Sequence, residues 1–247
     1  MEQYGLIGYP LGHSFSRRFF NEEFFPEHHI EAEYLNFEIE RAEQLLDVVR
    51  EHPMLRGLNC TIPHKQAIIP LLDEISPEAE EIGAVNVIRI REGRLKGFNS
   101  DIIGFMDSIR PLLESHHRRA LVLGSGGASK AIWAGLKRLG IEPTQVSRRS
   151  DGGALTYGDL TQEVMAEHEV IVNCSPVGMF PHVDECPGIP YEMLTPRHLL
   201  YDLVYNPTET LFMKKGSAAG AKVKNGLEML RLQALASWKF WNTDDNE

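Results

Sequence analysis

Four short polar stretches in the first hundred residues hold side chains that could act together. They are His13-Ser14-Phe15-Ser16, Asn59-Cys60-Thr61-Ile62-Pro63-His64-Lys65, Gly83-Ala84-Val85-Asn86 and Asn99-Ser100-Asp101. Hydroxyls and amides each supply a directed donor or acceptor, which suits a ring that bears several hydroxyl groups. A lysine with an aspartate partner is a proton-transfer pair, and carbonyl reduction needs a proton for the developing alkoxide as well as a hydride. Each residue taken singly has a plainer reading. Ser14 or Ser16 could cap a helix, Asn86 could sit in a turn, Lys65 could be solvated, and Asp101 could begin the helix after it. As a set they point to chemistry.

The hydride donor has its own signature. Ala120-Leu121-Val122-Leu123-Gly124-Ser125-Gly126-Gly127-Ala128-Ser129 reads as a strand, a glycine turn and a helix start. The glycines permit a tight turn and close approach of a pyrophosphate, whose charge meets free N–H groups at the helix N-terminus. Ser129 stands where glycine or alanine is usual, so the reading leans on the strand before and the helix after. The next strand ends in Ser147-Arg148-Arg149-Ser150. An NAD site places an acidic residue there, whereas two guanidinium groups suit a 2′-phosphate. NADP (NADPH) is the expected cofactor, with Asp151 close enough in sequence to keep NAD open.

Such groups need strand ends to hold them. Strand patterns at 3–8, 32–37 and 55–61 alternate with helical patterns at 15–25 and 41–51. Pro63 suits the first turn of a further helix through 65–72. Residues 85–90 and 94–98 flank Glu92-Gly93, a hairpin turn adding antiparallel edge strands to a largely parallel sheet. A connecting helix at 102–113 leads to a strand at 120–123, a helix at 129–139 and a strand ending at Val146. Strands at 170–173 and 199–203 complete a doubly wound rhythm, and a final amphipathic helix covers 227–238. The expected fold class is α/β with two domains: an N-terminal α/β substrate domain with a mostly parallel sheet, and a Rossmann-type doubly wound NADP-binding domain.

Composition narrows the function classes. The chain has 247 residues, enough for two modest domains, and is 43% hydrophobic without a low-complexity run. A net charge of −10 argues against nucleic-acid and acidic-membrane partners, while local cations could still take an anionic substrate. No apolar run approaches the roughly 20 residues of a membrane span, and Met1-Glu2-Gln3-Tyr4 does not open a signal peptide. Cys60, Cys174 and Cys186 read as reduced thiols in a cytoplasmic protein. The pair His116-His117 lacks the further ligands that a metal needs, and disorder is expected only in the acidic tail Asp244-Asp245-Asn246-Glu247.

These residues resemble the shikimate dehydrogenase family nearly end to end. Eight segments occur in the family's order: Gly8-Tyr9-Pro10-Leu11-Gly12-His13-Ser14-Phe15-Ser16, the stretches ending at Lys65 and Asn86, Asn99-Ser100-Asp101-Ile102-Ile103-Gly104, the glycine turn, Asn173-Cys174-Ser175-Pro176-Val177-Gly178-Met179, Tyr201-Asp202-Leu203-Val204-Tyr205-Asn206-Pro207-Thr208, and Gly226-Leu227-Glu228-Met229-Leu230-Arg231-Leu232-Gln233. The resemblance implies an NADP-dependent oxidoreductase that reversibly reduces 3-dehydroshikimate to shikimate, in chorismate and aromatic amino-acid biosynthesis. It implies that Ser14 and Ser16 hold the substrate carboxylate and that Thr61, Asn86, Asp101 and Gln233 bind ring hydroxyls. Lys65 matches the catalytic lysine, Asp101 its partner, and Tyr205 a tyrosine near the substrate. Gly124, Ser125, Gly126, Gly127 and Ala128 would take the pyrophosphate. Ser147, Arg148 and Arg149 match an Asn-Arg-Thr adenosine-phosphate site, Gly226 a backbone contact to the nicotinamide end, and Leu203 is a further cofactor-binding position.

Departures from the family pattern are Arg17 for proline, Cys60 for valine, Ser100 for threonine, and the altered triplet at Ser147 and Arg149. None removes a group assigned chemistry, but the triplet leaves the strictness of NADP preference open. The substrate domain is expected to be discontinuous, residues 1–101 plus 227–247, around a cofactor domain at 102–226, with hinge closure excluding water. The expected partner is a small molecule, with no nucleic acid and no membrane, and the protein is a monomer or homodimer. Three alternatives remain at this point: an NAD-using quinate/shikimate dehydrogenase, an enzyme acting on an aminoshikimate, and a non-catalytic NADP-binding regulator on the same fold.

Overall fold

The computed structural model describes residues 1–12, 14–149 and 154–243. His13, Ser150, Asp151 and the tail Asp244-Asp245-Asn246-Glu247, all singled out in the sequence, lie outside the described residues. The chain divides into two compact units, Met1–Asp101 with the chain from Gln233 onward, and Ile102–Leu232.

The first unit carries a six-stranded sheet of β1 (Glu2–Gly8), β2 (Ala32–Glu38), β3 (Leu55–Cys60), β4 (Glu74–Ile75), β5 (Val87–Arg91) and β6 (Arg94–Phe98), in the order β2-β1-β3-β5-β6-β4. β1 runs parallel to β2 and β3, while β5 is antiparallel to both β3 and β6. Glu92 and Gly93 both sit at positive φ, 48° and 76°, a two-residue turn whose twist matches the strands it joins. The hairpin is not at the sheet edge as expected, because β4 pairs with β6 on its outer side. Two residues carry no readable alternation, so that strand has no signal in sequence.

On one face, Ile7, Leu45, Leu58, Ile68, Val85 and Ile88 form an aliphatic core with α3 (Leu45–Glu51). The other face is aromatic. α1 (Phe15–Arg18) runs through a π-helical turn, Phe19–Phe24, into α2 (Phe25–Glu27). Phe19 and Phe24, and likewise Phe20 and Phe25, are five apart, so a wider turn lines each pair up on one side. All four are buried with Tyr4, Tyr34 and Trp241. α4 (Pro77–Ile82) is capped by the Ser76 hydroxyl.

The helix expected over 65–72 does not form. Residues 62–68 are a series of turns leading into a 3-10 turn, Ile69–Leu71. The Lys65 carbonyl accepts from the Val85 N–H at 2.7 Å, and the Ile69 N–H closes on Gln66 at 3.2 Å. A distant loop has taken the acceptor that an α-helix would use, and Pro70 has no N–H to continue the ladder.

The second unit is doubly wound. After α5 (Asp101–Ile109), the strands β7 (Arg119–Leu123), β8 (Glu142–Ser147), β9 (Leu155–Thr156), β10 (Val170–Asn173), β11 (Leu199–Asp202) and β12 (Lys222–Lys224) form a sheet in the order β12-β11-β10-β7-β8-β9. Every pairing in it is parallel. Leu121, Leu123, Ile171 and Leu200 are buried on one face, and Ala120, Val122, Val170, Val172 and Leu199 on the other, as a parallel sheet covered on both sides requires. α6 (Gly127–Arg138), α7 (Gln162–Glu167) and α8 (Leu211–Ala218) are its helices. β7 is flanked by β8 and β10, so the turn leaving β7 is the topological switch point. The last helix, α9 (Leu227–Asn242), sets the Trp241 indole N–H on the Ile88 carbonyl at 3.1 Å. No helix among the described residues is long and apolar enough to cross a membrane.

Candidate active site

Because β5 is antiparallel to β3, the start of β5 lies beside the end of β3. The Cys60 N–H donates to the Asn86 carbonyl at 2.9 Å, and the Asn86 N–H to the Phe98 carbonyl at 3.0 Å. Thr61, Asn86 and the Ser100-Asp101 corner therefore share one sheet edge. There Lys65 Nζ donates to Asp101 Oδ2 at 2.6 Å, with the two side chains only 14% and 5% exposed. Asn86 Nδ2 faces Asp101 Oδ1 at 2.9 Å, Ser100 Oγ at 3.1 Å and Gln233 Oε1 at 3.2 Å. Asp101 also opens α5, where a carboxylate meets the positive end of the helix. The structure thus brings Lys65, Asn86, Asp101 and Gln233 together: an ammonium donor, a carboxylate held by two donors, and two amides.

The remaining predicted residues have local partners. Ser14 caps α1, its Oγ accepting from the Arg17 N–H at 3.1 Å. Ser16 lies close enough to the Tyr34 phenol to lower its proton affinity, though burial raises it by more. That phenol donates to Asn59 Oδ1 at 2.8 Å. Thr61 is half-buried just beyond β3, its N–H on the Ile7 carbonyl at 2.9 Å. Burial pushes the Cys60 thiol up to about 12, which leaves it protonated and unreactive at neutral pH. All three cysteines are unpaired. Tyr205 belongs to the second unit, half-buried, and burial raises its phenol too.

In the second unit Gly124 sits at φ 104°, a conformation L side chains rarely adopt, and its N–H donates to the Val146 carbonyl at 3.0 Å. Gly126 caps α6 without a side-chain cap, and the first turn has no acidic residue. The Ser129 hydroxyl donates to the Gly126 carbonyl at 2.6 Å and is buried, which accounts for serine at the third glycine position. The Ser147 hydroxyl donates to the Arg149 carbonyl, and Arg148 and Arg149 are exposed at the end of β8. An added Cβ on Gly126 would meet nothing within 4 Å. An open turn, uncapped N–H groups and two exposed guanidinium groups fit a pyrophosphate and a 2′-phosphate.

Leu203 and Gly226, both expected to bind the cofactor, are tied to a buried polar knot that sequence reasoning missed. The Leu203 N–H donates to the Asn173 carbonyl at 3.0 Å, and the Gly226 N–H to the Val204 carbonyl at 3.2 Å. Asp202, fully buried, accepts from Asn173 Nδ2 at 2.9 Å, the Val204 N–H at 3.0 Å and Thr210 Oγ1 at 2.6 Å. Burial outweighs these donors and raises its carboxyl to about 6. The available signal was an aspartate closing an apolar strand. Tyr34, Asn59, Ser100 and Ser237 were likewise assigned no role. The signal for Ser237 is its place four residues after Gln233, on the same helix face.

The family model for the shikimate dehydrogenase substrate binding domain matches residues 6–88. An NADP(+) shikimate dehydrogenase of Caldanaerobacter subterraneus subsp. tengcongensis is 36% identical over 256 residues, covering 96% of this chain and 90% of its own. The chain belongs to the shikimate dehydrogenase family. Among solved structures, shikimate 5-dehydrogenase from Thermus thermophilus in complex with NADP(H) and shikimate has a TM-score of 0.85 at 31% identity. It covers 98% of this chain and 94% of its own. A quinate dehydrogenase from Corynebacterium glutamicum, solved with NAD, has a TM-score of 0.86 at 26% identity, covering 98% and 93%. Overall likeness therefore does not separate the two activities, and the local residues have to.

Proposed function

We propose that this chain catalyses the reversible, NADPH-dependent reduction of 3-dehydroshikimate to shikimate, a step of aromatic amino-acid biosynthesis. The observation that carries the reading is the 2.6 Å contact of Lys65 with Asp101, shared through Asn86 with Gln233. When bound, NADPH supplies the hydride for the ring ketone carbon. Lys65 Nζ gives the ketone oxygen its proton, and in the oxidative direction takes that proton back. Asp101 orients the lysine. Thr61, Asn86, Asp101 and Gln233 read the ring hydroxyls, Ser14 and Ser16 the carboxylate, and Tyr205 lies near the substrate. Gly124, Ser125, Gly126, Gly127 and Ala128 hold the pyrophosphate, Ser147, Arg148 and Arg149 the adenosine phosphate, Gly226 the nicotinamide end, and Leu203 also binds the cofactor. The substrate domain corresponds to residues 1–101 plus 227–247, and the cofactor domain to 102–226. Three unpaired thiols suit a reducing compartment, and we place the enzyme in the cytoplasm as a monomer or homodimer.

The likeness to an NAD quinate dehydrogenase supports a second reading, against which stand Arg148 and Arg149 where an acidic residue would favour NAD. Absorbance of the reduced nicotinamide, followed with shikimate or quinate and NADP or NAD, separates the two. Turnover confined to shikimate with NADP is the expected result. Comparable rates with quinate or NAD favour the broader enzyme, and no turnover by folded protein removes both.

A further inference from the structure

We propose that Ser237 is a positioning residue of the substrate site, which holds the Ser100 hydroxyl where it receives the Asn86 amide, beside Asp101 and Gln233. The inference rests on the dehydrogenase reading above and concerns a residue outside the site that reading assigns.

Ser237 is fully buried, and its Oγ has three partners: the Gln233 carbonyl at 2.8 Å, Asn59 Nδ2 at 2.8 Å and Ser100 Oγ at 3.2 Å. A hydroxyl has one proton to give. The Gln233 carbonyl can only accept, so the Ser237 proton goes there. Asn59 must be donating, because its other end takes the Tyr34 hydroxyl at 2.8 Å and its Nδ2 also faces the Asn86 carbonyl at 3.3 Å. Ser237 Oγ is left as an acceptor for Ser100, whose proton is thereby committed.

Held by Ser237, Ser100 Oγ lies where it accepts from Asn86 Nδ2, at 3.1 Å. The Asn86 carbonyl end is held by the Ser100 backbone N–H at 2.7 Å, so the amide cannot turn over. Its other N–H is shared between Asp101 Oδ1 at 2.9 Å, on the carboxylate whose other oxygen takes Lys65, and Gln233 Oε1 at 3.2 Å. Removing the Ser237 hydroxyl frees the Ser100 proton. The other acceptor in reach is Asn86 Oδ1 at 3.4 Å, so the Ser100 hydroxyl is free to leave the position in which it receives Asn86 Nδ2, and its tie to the helix that carries Gln233 is lost.

The test measures KM for shikimate, KM for NADP, kcat and melting temperature in Ser237→Ala, Ser100→Ala and the double variant. Ser237→Ala is expected to raise KM for shikimate about 5- to 20-fold, the scale of one buried hydrogen bond, with KM for NADP unchanged. Ser100→Ala should do the same, and the double variant no more than the worse single one, since both break one link. An unchanged KM for shikimate, an equal rise in KM for NADP, or additive losses would overturn the proposal. If Ser237→Ala does not fold, Ser100→Ala decides by its own two KM values. Loss of turnover in the wild type overturns the dehydrogenase reading, whereas an active wild type with unaltered variants overturns only the role of Ser237.

Discussion

Gly226→Ala is a sharp test because two physical effects predict opposite signs. Gly226 does not need a positive φ, and it stands immediately before α9. Backbone entropy alone would make alanine stabilising there by about 0.4–1 kcal/mol. The space around it says otherwise. An added Cβ lies 2.2 Å from the Leu203 carbonyl oxygen and 2.7 Å from its carbon, where ordinary contact begins at 3.4 Å. One backbone must retreat by about an ångström, and neither is free to do so. Leu203 is tied to Asn173 at 3.0 Å, and Gly226 to Val204 at 3.2 Å and to Leu230 at 3.0 Å. Overpacking of this kind costs about 1–3 kcal/mol, or roughly 2–12 °C in melting temperature for a chain of this size. A displacement of that size at the proposed nicotinamide end should lower kcat/KM for NADP by about 10²-fold and leave KM for shikimate near the wild-type value. Thermal melting and steady-state kinetics read both quantities. A variant that melts at or above the wild type and uses NADP as well would refute the steric reasoning and the placement of the nicotinamide together.

Lys65→Ala should lower kcat by about 10²–10⁴-fold with KM for shikimate largely retained; an unchanged kcat removes Lys65 from the chemistry. Glutamate at both Arg148 and Arg149 should reduce kcat/KM for NADP by about 10–100-fold and spare NAD, as parallel assays with the two cofactors would show. Asp202 gives a pH prediction. Its carboxyl is raised from 3.8 to about 6 in the folded state, so between those values the native state holds a proton that the unfolded chain has released. Its stabilising contribution is complete below about pH 4 and is lost as pH rises through 6. Relative to Asp202→Asn, the wild type should lose on the order of 2–3 kcal/mol across that window, measured by denaturant unfolding at pH 4 and pH 7. A difference that grows in the opposite direction rules out the buried carboxyl as its source.

Local features are legible in the order of the residues themselves. Glu92-Gly93 predicts a hairpin because two strand-like runs flank a pair of residues whose glycine accepts positive φ at no steric cost. The glycine turn after Leu123 predicts an anion site because backbone approach and helix N–H groups are consequences of residue type and order. The strands 3–8 and 170–173 follow from short apolar runs. These inferences need only neighbours in the chain, and for them the sequence is sufficient.

What depends on distant partners was not readable. The segment after Pro63 has a helical pattern, yet Val85 captures the Lys65 carbonyl and the helix gives way to turns. Ser237 lies in an amphipathic helix with nothing in its neighbours to show that Asn59 and Ser100 converge on it. Asp202 closes an apolar strand, and only burial among three donors shows why its proton is held to about pH 6. By itself the sequence determined most of the longer strands and helices, the family, and which residue types could transfer a proton and bind a dinucleotide. Tertiary structure decided which groups meet and in which direction each hydrogen bond runs, because a buried polar atom must find its partner wherever the fold supplies one.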